Sequence, residues 1–152
     1  MRVVVCEPGE YARIADIEYA PRPFDFEVVE FADGAIREIV GDTLAALLSR
    51  CLPWDDNVAL IYNDRFLLDG SMPNREVGGT LICGTFLICG FEGYDYASLT
   101  EEQAKRYCKE LYSPRIFIPT DRVVFSYPCT PTEYQKFYTE GLNRGFRHND
   151  LN

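Results

Sequence analysis

The sequence predicts a single α+β domain, a mostly antiparallel sheet of about five to seven strands with two or three helices packed against it. Three observations carry this. Short β-branched and aromatic runs end at turn residues, as where Arg2–Cys6 meets Glu7-Pro8-Gly9. The stretch Leu81–Gly90 is apolar on both alternating faces, which marks a central strand covered from both sides. Two capping boxes, Thr100-Glu101-Glu102-Gln103 and Thr130-Pro131-Thr132-Glu133, each open an amphipathic pattern.

Taken in order, Tyr11–Ile17 alternates loosely and is expected to pair back on the first strand. Phe24–Phe31 follows Pro21-Arg22-Pro23 and sets Phe24, Phe26 and Val28 between acids, the pattern of a half-exposed edge strand. Asp33 is a plausible cap for a helix starting near Gly34. Two readings then compete for residues 35–51. Ile36, Ile39, Val40, Leu44, Leu47, Leu48 and Cys51 recur at helical spacing, whereas Gly41-Asp42 argues for a stop near Val40 and a new element from Thr43. Pro53–Asn57 is a turn. Val58–Tyr62 and Phe66–Leu68 read as a hairpin around Asn63-Asp64-Arg65, and Asp69–Gly79 as a loop. The first capped helix carries Ala104, Tyr107, Cys108 and Leu111 on one side and stops at Ser113-Pro114. Ile116–Ile118 and Val123–Tyr127 are short strands placed at the sheet edge. The second capped helix carries Tyr134, Phe137, Tyr138 and Leu142. Residues 1–112 form the core, 113–146 an extension packed on the same domain, and 147–152 a loose tail.

A chain of 152 residues buries roughly 70% of its unfolded surface, and 47% apolar content supports a packed core. No run approaches the ~18 apolar residues of a membrane span. Met1-Arg2 enters Val3-Val4-Val5 and reaches Glu7 too soon for a signal peptide, so a cytoplasmic location is expected. Net charge is -9, with 15 acids against 7 bases in residues 1–76. Asp16, Glu18, Asp25, Glu27, Glu30 and Asp33 form a candidate acidic patch offset only by Arg22. That sign repels phosphate backbones, so direct nucleic-acid binding is disfavoured.

The catalytic inventory is poor. The single histidine, His148, lies in the tail, and no Gly-rich phosphate loop exists. Asp55-Asp56 look like turn residues. The six cysteines lack a Cys-x-x-Cys pair, and Cys83 and Cys89, on one strand, stand ~20 Å apart at ~3.3 Å per residue. They read as small buried hydrophobes, with no metal or cofactor implied. What remains is Glu7, Asn63, Asp64, Asn74 and Arg75, expected in a shallow polar cleft at one end of the sheet. Arg75 offers five donors in a rigid fork suited to an anion. The structural alternative has Arg75 pairing with Glu7 or Asp64 and clamping the loop.

Val5-Cys6-Glu7-Pro8-Gly9, Ile39-Val40-Gly41, Val58–Asp64, Pro73-Asn74-Arg75 and Gly84–Gly90, followed by Ser98–Gln103, occur in an order that resembles the family called domain of unknown function 3846. The likeness covers about residues 1–112. Asp42 stands where a second Gly is usual and Asp64 where Glu is usual. The family has no assigned catalytic residues. Its members are typically encoded on phages, plasmids and conjugative elements, which implies an accessory role there. Three functions follow: a non-enzymatic binding protein with a protein partner, an acidic DNA-mimicking decoy, or a sponge for a small anionic, nucleotide-like ligand.

Overall fold

The main sheet is built outward from its most apolar strand. The computed structural model describes residues 1–19, 34–41, 44–48, 52, 54–66, 70–93 and 95–143. Along the chain the strands are β1 (Arg2–Cys6), β2 (Arg13–Asp16), β3 (Leu44–Leu48), β4 (Val58–Asn63), β5 (Pro73–Val77), β6 (Thr80–Cys83), β7 (Phe86–Glu92), β8 (Asp95–Ala97), β9 (Arg115–Pro119) and β10 (Val124–Pro128). The helices are α1 (Gly34–Val40), α2 (Glu101–Glu110) and α3 (Pro131–Asn143). Six strands form one antiparallel sheet in the order β2-β1-β7-β4-β3, with β8 also paired to β7. The fold is therefore α+β, and β7, buried from Phe86 to Gly90, is its centre. Among the described residues, no helix is long and apolar enough to cross a membrane.

Alternation along the strands sends side chains to two faces. Val3, Val5, Ala59, Ile61, Leu87 and Cys89 pack with Ile36 and Val40 of α1. Val4, Cys6, Leu60, Phe86 and Ile88 pack with Ala104 and Tyr107 of α2, and with Val77 and Ile82 of the β5–β6 ribbon. A third cluster, Ile116, Phe117, Cys129, Tyr134 and Tyr138, sits against Met72 and Leu81. Both capping boxes form, with Gln103 N donating to Thr100 Oγ1 at 3.1 Å and Glu133 N to Thr130 Oγ1 at 3.2 Å.

The structure corrects four expectations. Residues 81–90 are two strands, because Gly84 turns the chain at φ 78° and its N–H bonds Met72 O at 2.8 Å. β6 then pairs with β5, while β7 pairs with β1 and β4, so Cys83 and Cys89 belong to different strands. The stretch 73–77 is a strand rather than a loop, with a bulge between Pro73 and Arg75. Phe66 lies in a turn and does not pair with β4, whose two edges are taken by β3 and β7; Leu67 and Leu68 lie outside the described residues. The short strands β9 and β10 make their own two-stranded sheet instead of edging the main one. For residues 35–51 the helix-then-strand reading is the one observed. β3 ladders onto β4 from Leu44↔Asn63 to Leu48↔Ala59, and that pairing outweighs the local helix propensity of its leucines and alanines. The expected Phe24–Phe31 strand, the Asp33 cap and the 147–152 tail lie outside the described residues.

One ring anchors the first turn of α3. Tyr134 Oη donates to Pro73 O at 2.6 Å, and a Cβ on Gly9 would meet Tyr134 Cδ1 at 2.5 Å. Gly9 also has φ 77°. Gly9→Ala should therefore destabilise by about 2 kcal/mol or more, counting left-handed strain of about 1–2 kcal/mol before any overlap. In a Tyr134→Ala background only the strain should remain. Thermal melts of the four proteins check this, and strictly additive losses would count against the contact.

Candidate functional site

Arg75 projects from the β5 bulge into the core and is 1% exposed. Its guanidinium meets neutral oxygens only. Nε donates to Leu111 O at 3.0 Å, Nη1 to Asn74 Oδ1 at 2.8 Å and Asn74 O at 3.4 Å, and Nη2 to Glu10 O at 2.7 Å and Tyr112 O at 3.4 Å. Five donors thus have five acceptors. Asn74, fully buried, donates through Nδ2 to Cys6 O at 2.8 Å and Gly84 O at 2.7 Å. The pair ties β1, the Gly84 turn, the 7–12 turn and the end of α2 to a single point. Burial lowers the Arg75 pKa by opposing its charge, but a guanidinium remains protonated.

Beside this point lies a groove of about 570 Å³. Lys109, Glu110, Leu111, Tyr112 and Ser113 from the end of α2 line one side, and Arg115, Ser126 and Pro128 of the β9–β10 hairpin the other, with Arg75 and Glu76 at the base. Three cations face two acids. Glu110 turns Oε2 to the Trp54 indole N–H at 2.8 Å. Arg115 uses Nε and Nη2 on Ser126 Oγ and Ser126 O, both at 3.2 Å, and among the described residues Nη1 makes no hydrogen bond. Among the described residues, no carboxylate pairs with Arg75, Lys109 or Arg115.

Asn74 and Arg75 are two of the five residues that the sequence selects, and the other three lie outside this hydrogen-bond cluster. Glu7 pairs with Arg13 at 3.0 Å, not with Arg75. Asn63 ends β4 at the end of the sheet where Cys6 meets Phe86, with β7 between them. Its Oδ1 accepts from Arg65 N at 2.9 Å, which makes it a turn brace. Asp64 is exposed in that turn. Of the acidic patch, Asp16 binds the N-terminal ammonium at 2.8 Å and Glu18 is exposed. Asp25, Glu27, Glu30 and Asp33 lie outside the described residues, as do Cys51 and His148. Lys109 and Arg115 were missed because no local pattern marks them; they meet only when the hairpin packs beside α2. Among the described residues, no group of three His, Cys, Asp or Glu could hold a metal ion.

A second polar cluster holds the 54–57 segment to α2. Asp55 Oδ2 accepts from Tyr107 Oη at 2.8 Å, Arg106 Nη2 at 2.8 Å and Gln103 Nε2 at 3.0 Å. The Gln103, Tyr107 and Arg106 hydrogen bonds, in that order, hold the Asp55 pKa down at about 2. Trp54 packs on Tyr107 with ring centroids 4.7 Å apart and the planes tilted by 32°.

Two variants separate these clusters. Arg75→Met strands buried carbonyls, each costing about 1–3 kcal/mol, so the melting temperature should fall by roughly 6 °C or more, and Arg75→Lys should recover only part of it. An unchanged melt would refute the clamp. Asp55 is a depressed acid, so its contribution is complete above the ordinary value near 3.8 and disappears as pH falls through about 2. Wild type should exceed Asp55→Asn in stability at pH 6, and the two curves should converge towards pH 2. Parallel curves would show that Asp55 is uncoupled from folding.

No curated protein and no solved structure matches the chain. A family model does match, that of the domain of unknown function (DUF3846), over residues 1–112. The match ends at Tyr112, the last residue whose carbonyl Arg75 holds, so the clamp lies wholly inside it. Residues 113–143, which supply one wall of the groove, lie beyond it. The chain belongs to the DUF3846 family.

Proposed function

We propose that this protein is a non-enzymatic binding protein whose groove beside Arg75 takes a small polar ligand bearing a carboxylate or phosphate. One observation carries this: a chain of net charge -9 gathers Lys109, Arg115 and the buried Arg75 around one groove with no carboxylate paired to any of them among the described residues. Arg75 contributes charge from below, since its donors are occupied. Arg115 Nη1 and Lys109 Nζ supply the donors, and the Ser113 and Ser126 hydroxyls add neutral ones. The volume suits a small molecule. Binding is favoured over thiol chemistry because burial pushes Cys6 and Cys89 up to about 12 and Cys83 to about 11, far from thiolate at neutral pH. In the mobile-element setting implied by the family resemblance, such a protein would sequester a nucleotide-like signal.

Native mass spectrometry of the purified protein, followed by calorimetry with adenosine monophosphate and inorganic phosphate as probes, tests the reading. Binding should weaken about tenfold or more in Arg115→Ala, the loss of one charge-assisted hydrogen bond, and should fall with added salt. Lys136→Ala, exposed on α3, should bind like wild type. No co-purifying mass and no heat with either probe would overturn it.

A further inference from the structure

The most exposed apolar segment of the described chain is β10 with the residue before it. Val123, Val124, Phe125 and Tyr127 are 52%, 43%, 61% and 42% exposed. Its neighbour β9 is covered on both sides, with Ile116 and Phe117 buried. Among the described residues, the outer edge of β10 has no strand beside it. An edge of this kind is normally blunted by a bulge, an inward charge or a proline. From Val123 to Tyr127 there is none, and the β9–β10 register is regular throughout.

Which backbone groups point outward follows from the ladder. Val123 O accepts from Thr120 N at 2.8 Å and Cys129 N donates to Pro114 O at 2.9 Å, so the odd-numbered residues face β9. Antiparallel alternation then turns the N–H and C=O of Val124 and Ser126 outward. Ser126 O takes Arg115 Nη2 at 3.2 Å and retains a second lone pair.

We infer that β10 is where two copies of this chain pair, edge to edge and antiparallel, about a two-fold axis at Phe125. In that register Val124 and Ser126 of one copy exchange both backbone bonds with Ser126 and Val124 of the other, four bonds in all. Phe125 meets its own mate, and Tyr127 lies across from Val123. Pro128, which has no N–H, falls outside the four bonds. The occupant is a second copy because the strand is complementary to itself in both hydrogen bonds and apolar side chains. Charge agrees: no ionised group lies between Val123 and Pro128, so two chains of -9 meet along a neutral seam, and a charged foreign strand would find no counterpart there.

Sedimentation equilibrium over a wide concentration range should give a mass approaching twice 17.4 kDa. Phe125→Lys should sediment as a folded monomer, since the side chain is exposed, and should melt below wild type only by what dimerisation contributes at the protein concentration used. Across the axis the Cα atoms of a non-hydrogen-bonded pair lie about 4.5 Å apart, within disulfide reach. Phe125→Cys should therefore form an intermolecular disulfide on mild oxidation, above the wild-type background. Val124→Cys should not, because its own mate is diagonal at about 7–8 Å. A wild-type monomer at every concentration, a dimer that survives Phe125→Lys, or equal cross-linking of the two cysteine variants would each overturn the pairing.

Discussion

Arg75 is a full positive charge held in the core with no carboxylate paired to it among the described residues. Taking such an ion out of water costs several kcal/mol, and the cost is offset only when every donor finds an acceptor. That requirement constrains the fold more tightly than apolar packing does. The Glu10 carbonyl must turn inward from the loop after β1, the last carbonyls of α2 must stay free of further helix, and Asn74 must present its amide oxygen alongside. A guanidinium meets this demand because its five N–H groups radiate in one plane. An ammonium, with three donors on a flexible stem, could hold only some of these segments.

The break in the apolar stretch follows from the same point. Asn74 Nδ2 holds Gly84 O and Cys6 O together, so the chain has to leave β6 at Gly84 before it can enter the sheet as β7. In the sequence, Leu81–Gly90 carries the apolarity of a central strand, and that part of the reading holds for Phe86–Gly90. What distinguishes one strand from two is the partner of each half, and β5 was invisible as a partner. Its residues, Pro73-Asn74-Arg75-Glu76-Val77, look like loop chemistry because their burial is sustained by hydrogen bonds rather than by hydrophobicity. The other elements were legible in proportion to how local their determinants are. Both capping boxes close within four residues of sequence. The stop after Val40 needed β4 as a ladder partner before the helical spacing beyond Gly41 could be set aside.

Chemistry singled out Asn74 and Arg75 for the right reason, their capacity for several directed hydrogen bonds, yet that capacity is turned inward. The groups that face solvent beside them are Lys109 and Arg115, more than thirty residues further along the chain. They reach the groove from the end of α2 and from the hairpin, and only the packing of the extension brings them together. Glu7, Asn63 and Asp64 were selected by their places at strand ends. Such positions are as often braces as contacts, and Glu7 with Arg13, and Asn63 with the Arg65 amide, act as braces here.

The hairpin joins the two surfaces on which function is proposed. Its inner strand, β9, is fixed by Phe117 N–H donating to Tyr138 Oη and by burial on both faces, while its outer strand, β10, pairs with no strand but β9 among the described residues. Ser126 and Pro128 of that outer strand also form a wall of the groove, and Ser126 positions Arg115 through two hydrogen bonds. A strand added to β10 would take its backbone bonds from Ser126, so it would stiffen the residue that orients the groove's main donor. In the paired register, Arg122 of the second copy falls opposite Pro128, at the groove's rim, and adds a fourth cation there. The seam and the groove are thus two sides of one short strand, and occupation of either bears on the other through Ser126.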